Sequence, residues 1–453
     1  MTIGIGLWAF ICFLAIVFLW ILLLKRNVTE GLGAAFLVIS LFMGPANYVG
    51  TVLSALNTAA MDTPFLATML FMLMAAIMNK AGVIERLVEL LNSLIGKVRG
   101  GAAYVSTCAS FMFGLVSGNG DANSATVGAI TVPWMKESGW PPAIAATINA
   151  GNAGVCQAMP ACTAMFLLVG LEGVAEYIDV GTAYVAVLCG GIWSLGYRLL
   201  RVWLYARKYD VQPVPADRIK PLGKSFRDNG SALLMLVGIS IPLVITIGPL
   251  STVLKSIESF GSTGVSAINI VVWVPILVCI ICMLIGWKRL PHTVSGWLEI
   301  AKGCQKSICS AGTILLFSLA SCDVLSKLGF SEDLAVIFEN LHLPGILMIL
   351  IGCLLVVLVA SPLSANATTT AIGAVTFTAF IQAGANPSAA VAAYMIALST
   401  AGASPPSSAP IFISCGLAGV EKAASLFKPL VVDYVIPITI LAVLVAAGIL
   451  PVL

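Results

Sequence analysis

One arrangement of glycine, proline and small polar residues occurs twice in this chain, and each copy interrupts a hydrophobic run. The copies occupy residues 117–161 and 362–406, a separation of 245 positions. Four glycine or proline positions match after this shift: Gly128 with Gly373, Gly139 with Gly384, Pro142 with Pro387, and Pro160 with Pro405. Helix breakers at corresponding places in two hydrophobic halves are typical of secondary transporters, where they mark the binding site.

The composition indicates a membrane protein. Of the 453 residues, 59% are hydrophobic and 9% are charged, whereas soluble proteins carry about 25% charged residues. At about 20 residues per membrane span, this length allows about ten helical crossings. The cysteines and histidines do not have zinc-site spacing, and no glycine-rich phosphate loop followed by lysine occurs. We therefore expect neither an enzyme nor a nucleic-acid-binding protein.

Basic residues orient the predicted spans, because lysine and arginine concentrate in cytoplasmic loops. The most basic segment runs from Arg198 to Arg227 and is predicted to be cytoplasmic. Two apolar pieces, at about 101–136 and 344–383, must then each enter and leave the membrane on one side. The remaining ten spans, which place both termini outside the cytoplasm, are predicted at about 4–24, 32–54, 64–80, 141–170, 181–198, 229–249, 267–287, 307–326, 387–418 and 429–451.

Both repeats follow one plan. A span (64–80 or 307–326) leads to a short amphipathic arm (83–97 or 331–342), then a re-entrant hairpin, then a span broken near its middle. The first repeat starts outside and the second starts in the cytoplasm, so the two are inverted. The predicted fold class is an all-α polytopic membrane protein with an inverted repeat, two re-entrant hairpins and two broken helices. The predicted divisions are 1–63 for N-terminal peripheral helices, 64–180 for the first transport repeat, 181–306 for scaffold helices and a cytoplasmic connector, 307–420 for the second transport repeat, and 421–453 for a C-terminal span.

The hairpin tips and the helix breaks are the candidate ion sites. Irregular backbone at membrane depth is tolerated only where it is buried in protein or lines a wet cavity. A tip and a break that converge form a cage of oxygens, which suits a hard cation. Two repeats predict two such cages, with Na+ as the natural occupant. The candidate ligands are Ser117, Asn119, Gly154 and Pro160 in the first repeat, and Ser364, Thr369, Gly402, Ser404 and Pro405 in the second.

Polar residues beside the tips are the candidate substrate ligands. Asp121 is the only acidic residue between Glu89 and Glu137, and an acidic residue within the membrane is a functional-site hypothesis by default. Its alternative role is to cap the following helix, and both roles are compatible. Gln157, in the first break, reaches the site or satisfies broken-helix carbonyls. The full candidate set is Asp121, Asn123, Gln157, Asn366 and Thr368.

The hairpins and broken helices contain no arginine, since none occurs from 102 to 197 or after Arg289. These segments therefore offer an anionic substrate no guanidinium group. Bound cations, half-helix dipoles and Ser, Asn and Thr side chains would have to hold it. Such a pocket suits sugar acids, dicarboxylates and 2-oxo acids equally well.

Three stretches carry a family resemblance: GKVRGGAAYVSTCASFMFGLVSG at 96–118, VPWMKESGWPP at 132–142, and GANPSAAVAAYMIALSTAGASPPSSAPIFISCGLAG at 384–419. They resemble the large membrane subunit of tripartite ATP-independent periplasmic (TRAP) transporters. The resemblance covers about 64–170 and 313 to the C-terminus; residues 1–54 and 181–300 match in hydropathy only. Where the family usually has paired serines in the first tip, this chain has Asn119 and Gly120. Where its first break ends in Pro-Pro-Ser, this chain has Met159, Pro160 and Ala161.

The resemblance implies an elevator-type, Na+-driven importer of carboxylates in a bacterial inner membrane. It also implies a small four-helix membrane subunit and a periplasmic substrate-binding protein as partners. One alternative is a stand-alone Na+- or H+-coupled carboxylate symporter that needs no binding protein. The alternative from another class is a channel or a non-transporting scaffold. Channels usually build a pore by oligomeric symmetry, whereas this chain has its own internal repeat.

Overall fold

The computed structural model describes residues 4–20, 24, 26, 28–160, 162–171, 173–246, 250, 253–254, 256–257, 270–330, 333, 344–361, 365–405 and 408–452. The described residues form helices and connecting turns, and no strand occurs among them, which confirms the all-α fold. The α-helices are Ile5–Phe18, Val28–Ile39, Tyr48–Met61, Thr63–Ala81, Val83–Ile95, Gly101–Ser117, Gly120–Glu137, Pro142–Ala153, Thr163–Gly170, Val180–Lys208, Leu222–Asn229, Leu234–Thr246, Ile270–Ile285, Val294–Lys327, Gly345–Ala360, Ala365–Gln382, Pro387–Leu398, Ala409–Ala418, Ala424–Leu430 and Ile436–Ala446.

Several of these helices suit a bilayer. Four helical stretches in the described part are long and apolar enough to cross a membrane by length and composition: Pro142–Gly170, Val180–Lys208, Ala216–Thr246 and Ala424–Ala446. Shorter apolar helices accompany them, including the first arm of each predicted hairpin, Gly101–Ser117 and Gly345–Ala360. The chain thus has the helical content of a multi-pass membrane protein.

The structure reproduces the internal repeat. Hairpin 1 consists of Gly101–Ser117 and Gly120–Glu137, and hairpin 2 consists of Gly345–Ala360 and Ala365–Gln382. Adding 245 to 120–137 gives 365–382, the observed bounds of the second arm of hairpin 2. The two hairpins predicted from the sequence are confirmed.

Each hairpin is followed by a broken helix. Broken helix 1 is Pro142–Ala153, a 3-10 turn at Gly154–Ala158, and Thr163–Gly170. Broken helix 2 is Pro387–Leu398, a 3-10 turn at Ser399–Ala403, and Ala409–Ala418. The same shift of 245 maps 142–153 onto 387–398 and 154–158 onto 399–403. In these segments the two repeats therefore begin and end their helices and turns at equivalent residues.

Proline determines where both helices break. A residue that precedes proline is driven out of the helical region into extended backbone. Met159, before Pro160, has φ −113° and ψ 148°, and Ser404, before Pro405, has φ −88° and ψ 115°. The last turn before each break tightens into a 3-10 turn, and the chain then becomes extended. Two prolines at equivalent positions thus produce two equivalent interruptions.

The first half of broken helix 2 lies at the centre of the molecule, since every residue from Ala389 to Leu398 is buried. Val180–Lys208 and Ile436–Ala446 pack against it, and both belong to the main hydrophobic core together with the hairpins. A separate core joins the N-terminal helices to Val294–Lys327, which we name leading helix 2. Thr63–Ala81 is its counterpart, leading helix 1.

Several predicted spans differ from the observed helices. The span at 32–54 is not continuous, because Gly44 (φ 102°) and Pro45 separate Val28–Ile39 from Tyr48–Met61. The span at 307–326 is only part of leading helix 2, which begins at Val294. The first arm forms the helix Val83–Ile95 with one apolar face buried. The second arm, 331–342, lies outside the described residues apart from Asp333.

The basic segment begins later than predicted. The span expected to end at 198 continues as a helix to Lys208. Arg198 is fully buried within it, and Arg201 forms an ion pair with Asp433 of the C-terminal segment. The prediction that these two arginines lie in a loop was therefore wrong, because both belong to this helix. Asp433 compensates the charge of Arg201, whereas Arg198 donates to oxygens of Gly151 and Ser194. Loop statistics do not detect such partners.

Candidate functional site

The two helix breaks contact each other directly. A Cβ on Gly154 would lie 1.8 Å from the carbonyl oxygen of Ser399, and a Cβ on Gly402 would lie 2.7 Å from the amide nitrogen of Gly154. Gly154 shifted by 245 is position 399, so Gly154 faces its own repeat counterpart. Contact between equivalent residues is what a twofold axis between two related units produces. The polar backbone of both breaks is thereby brought to one place.

The tip of hairpin 1 closes on the break of broken helix 1. Gly118, in the left-handed conformation (φ 58°), ends the first arm. The Nε2 of Gln157 donates a hydrogen bond to the Gly118 carbonyl oxygen at 3.2 Å. A Cβ on Gly120 would lie 3.1 Å from the carbonyl oxygen of Ala153. Gln157 thus satisfies a carbonyl of the tip, and the predicted convergence of tip and break is observed.

Hairpin 2 meets its own break in the same way. The Ser361 hydroxyl donates to the Pro405 carbonyl oxygen at 2.5 Å. Within the break, Ser404 Oγ donates to Thr400 O at 2.9 Å, and Ser408 Oγ donates to Gly402 O at 2.7 Å. Hydroxyl groups therefore satisfy carbonyls that the interrupted helix leaves without amide partners. Ser364, a predicted ion ligand, lies outside the described residues.

The candidate substrate ligands of hairpin 1 are divided between surface and interior. Asp121 and Asn119 are exposed at the tip, whereas Asn123 is fully buried. The helix cap is Asn119, whose side chain accepts the Ala122 N–H at 3.0 Å, so the capping role considered for Asp121 belongs to its neighbour. The Asp121 carboxylate stays in the first turn of a helix, where the helix dipole favours negative charge.

The remaining candidates also occupy distinct environments. Ser117 is half-buried at the tip of hairpin 1, and Pro160 is buried in the first break. On hairpin 2, Asn366 is half-buried, while Thr368 and Thr369 are fully buried. The Thr369 hydroxyl donates to Ala365 O at 2.9 Å. The roles of these residues in ion and substrate binding stay predictions.

A buried polar contact that sequence reasoning missed joins each hairpin to its broken helix. In the first repeat, Asn149 Nδ2 donates to Ser124 Oγ at 3.1 Å. In the second, Tyr394 OH donates to Thr369 Oγ1 at 3.3 Å. Adding 245 to 124 and 149 gives 369 and 394. The interaction is thus repeated although the residue types differ, which explains why a comparison of identical residues did not find it.

The first contact also connects the two repeats. Asn149 Nδ2 lies 2.9 Å from Ser414 Oγ of broken helix 2. One turn further along, Asn152 Nδ2 donates to Thr107 Oγ1 of hairpin 1 at 3.0 Å. Two asparagines spaced by three in an apolar helix lie on one face, and this spacing was the available sequence signal. The face they mark is the polar seam between hairpin 1 and both broken helices.

A cationic group reaches broken helix 1 from a neighbouring helix. Arg198 Nε donates to the Gly151 carbonyl oxygen at 3.2 Å, and its Nη1 donates to Ser194 O at 3.3 Å. Gly151 is in the last turn of Pro142–Ala153, where a positive charge interacts favourably with the helix dipole. One turn along, Arg201 pairs with Asp433, which also accepts from Tyr205 OH at 2.5 Å.

A cavity of about 790 Å³ opens beside the tip of hairpin 1. Small-molecule sites in proteins usually measure about 300–1,000 Å³. Its wall includes leading helix 1, the hairpin tip and the start of leading helix 2. The lining residues are Met72, Ala75, Ala76, Asn79, Lys80, Ser117, Asn119, Ala122, Arg289, Pro291, Gly296, Glu299, Ile300 and Gly303.

The chain is similar to known transport proteins in fold and sequence. The crystal structure of the Alcanivorax borkumensis YdaH transporter superposes with a TM-score of 0.67 at 16% identity, covering 90% of this chain and 88% of YdaH. The C4-dicarboxylate TRAP transporter large permease protein DctM of Pseudomonas aeruginosa is 29% identical over 38% of this chain and 39% of its own length. The 2,3-diketo-L-gulonate TRAP transporter large permease protein YiaN of Escherichia coli is 26% identical over 38% of this chain and 40% of its own length.

The matched segments thus span less than half of these two relatives. A much longer match comes from the family model described as "Tripartite ATP-independent periplasmic transporter, DctM component", which covers residues 13–451. The family consists of transporter components rather than enzymes, as the repeated helix breakers and the family resemblance predicted. The repeated hairpins, the paired breaks and this match lead to one conclusion: the chain belongs to the DctM component family of tripartite ATP-independent periplasmic transporters.

Proposed function

We propose that this chain is the large permease subunit of a Na+-coupled importer of small organic carboxylates. It lies in a bacterial inner membrane with both termini in the periplasm. A periplasmic substrate-binding protein delivers the substrate, and a small four-helix membrane subunit completes the transporter. The observation that carries the proposal is the hydrogen bonding of each hairpin tip to its own helix break, beside a cavity of small-molecule size.

The first repeat contains buried neutral oxygens of the kind that hard cations bind. The amide oxygens of Asn123, Asn149, Asn152 and Gln157 are buried and accept no hydrogen bond from any described residue. A buried acceptor without a partner costs about 1–3 kcal/mol, and neutral oxygens are ligands that hard cations take. Bound Na+ would supply positive charge next to the tip of hairpin 1. The ligands proposed for the two ions remain those predicted from the tips and breaks.

The carboxylate substrate is proposed from two kinds of support. The two relatives are named for C4-dicarboxylate and 2,3-diketo-L-gulonate, which are both carboxylates. Asn123 and Gln157 place neutral polar groups at or behind the first tip, and Asn366 and Thr368 do so on hairpin 2. The Asp121 carboxylate would repel a carboxylate directly, so we propose that it acts on the substrate through bound Na+. We further propose that the two repeats move together as a rigid body, which the close contact between Gly154 and the break of the second repeat supports.

Reconstitution tests this function. The chain is incorporated into proteoliposomes with its small subunit, and uptake of radiolabelled succinate, gluconate and 2-oxoglutarate is measured with the binding protein outside. We expect an inward Na+ gradient to drive uptake of at least one of the three. Undiminished uptake without a Na+ gradient would rule out Na+ coupling. Equal uptake without the binding protein would favour the stand-alone symporter.

We predict that Asp121→Asn lowers Na+-driven uptake by about tenfold or more, the factor that corresponds to about 1.4 kcal/mol. The substitution keeps the size of the side chain and removes the only acidic group of the first tip. Asp228→Asn, which changes an exposed carboxylate of the connector helix Leu222–Asn229, is the matched control and should transport normally. Unchanged Na+ dependence and unchanged substrate concentration dependence in Asp121→Asn would remove Asp121 from the site.

A further inference from the structure

Two cationic side chains line the cavity beside the tip of hairpin 1. Lys80 lies in the last turn of leading helix 1, and Arg289 follows the helix Ile270–Ile285. The tip residues Ser117 and Asn119 line the same cavity. Neither cation belongs to a hairpin or a broken helix, so a search for arginine within those segments could not find them. The hairpins and broken helices contain no guanidinium group, but Arg289, which lies outside both repeats, brings one to this cavity.

The Arg289 side chain lies against a glycine. Gly82 connects leading helix 1 to the arm helix in the left-handed conformation (φ 69°). A Cβ at this position would lie 2.8 Å from Cζ of Arg289. The guanidinium therefore lies against the backbone at Gly82. The positive φ favours glycine at this position, and the absence of a side chain leaves the space that the arginine occupies.

The charge on the cavity wall is positive. Lys80 and Arg289 are balanced by one acidic lining residue, Glu299, which leaves a net charge of +1. No ion pair within 4 Å joins any of these three residues to another described residue. The rest of the wall is neutral, with methionine, alanine and isoleucine beside Asn79 and Asn119. A cavity with uncompensated positive charge and apolar walls suits a small organic anion.

We propose that Arg289 and Lys80 form a carboxylate-binding site at the mouth of this cavity, next to the polar tip of hairpin 1. The inference rests on the proposed function and adds the groups that recognise the carboxylate. The guanidinium presents two parallel N–H donors that match the two carboxylate oxygens, and the ammonium group adds a compact positive charge. In the predicted topology Lys80 lies on the cytoplasmic side, so the site binds substrate as it leaves the transporter.

Counterflow in proteoliposomes tests the site. Vesicles containing the transporter are loaded with unlabelled succinate, gluconate or 2-oxoglutarate, and exchange of the labelled acid is followed as its cytoplasmic-side concentration varies. Arg289→Gln and Lys80→Gln are each expected to raise the half-saturating concentration about tenfold, with a smaller change in maximal rate. Arg289→Lys should recover part of the loss. Glu299→Gln, in the same cavity, should lower the half-saturating concentration, because it removes the opposing charge.

The half-saturating concentration should therefore rise in Arg289→Gln and fall in Glu299→Gln. These opposite changes distinguish substrate recognition from folding, because a merely structural role would not make the two variants differ in direction. Arg227→Gln, an exposed basic residue of the connector helix, is the control and should behave as the wild type. If the wild type exchanges a carboxylate and both cation variants match it, the cationic site is wrong and the proposed function stands. If the wild type exchanges none of the three acids, the proposed function fails and this inference fails with it.

Discussion

Gly154→Ala is expected to reduce uptake to about one-hundredth of the wild-type rate or less. The added methyl group would lie 1.8 Å from the Ser399 carbonyl oxygen, a backbone atom that has no alternative rotamer. Ordinary carbon–oxygen contacts are more than 3 Å, so the two breaks must separate by more than about 1 Å, and displacements of this size in a functional site cost about a hundredfold. Gly402→Ala, whose Cβ would lie 2.7 Å from Gly154 N, should act in the same direction.

A matched control is available in the same broken helix. Gly416 lies in Ala409–Ala418, and a Cβ there would meet nothing within 4 Å. Because alanine is the better helix former by about 1 kcal/mol, Gly416→Ala should transport normally and unfold at the same or a higher temperature. Uptake by reconstituted protein and thermal unfolding in detergent measure both effects. If Gly154→Ala and Gly416→Ala were indistinguishable, the contact between the breaks would have no part in transport.

The sequence predicts most of the repeated core because helix breaking is a local property. Pro160 and Pro405 force extended backbone on the residue before them, and this effect depends on no other part of the chain. Gly44 and Pro45 divide the span at 32–54 by the same local effect, which hydropathy does not register. The hairpins followed from charge placement, which depends on the membrane rather than on tertiary contacts.

Sequence reasoning failed where one residue depends on a distant partner. Arg201 resembles a loop residue until Asp433, more than 200 positions later, is placed beside it. The proposed role of Arg289 could not be predicted, because its contact with Gly82 joins segments far apart in sequence. Asn149 and Tyr394 occupy equivalent positions with different side chains, so only the shared hydrogen-bonding geometry relates them. Charge and polarity patterns in the sequence locate secondary structure. The partners of buried polar groups can be identified only from the tertiary structure.

The ion pair between Arg201 and Asp433 should be the most destabilising charge interaction to break among those described. Both side chains are mostly buried, with 21% and 15% of their surface exposed. Removing one partner of a buried pair leaves the other without compensation, and this costs about 3 kcal/mol or more. Arg201→Met would leave Asp433 with only the Tyr205 hydroxyl as a side-chain donor. We expect a clear fall in the unfolding temperature, and loss of uptake, because Arg198 one turn away contacts broken helix 1.

The control is an ion pair of the same type on the surface. Arg99 pairs with Asp210, but 51% and 87% of their side-chain surfaces are exposed, and such pairs contribute about 0–1 kcal/mol. Arg99→Met should therefore change the unfolding temperature little. In the double variant Arg201→Met with Asp433→Asn, no unpaired charge remains, so its loss of stability should be smaller than the sum of the two single losses. Strict additivity, or an equal effect of Arg99→Met and Arg201→Met, would show that Asp433 does not stabilise a buried arginine beside the first break.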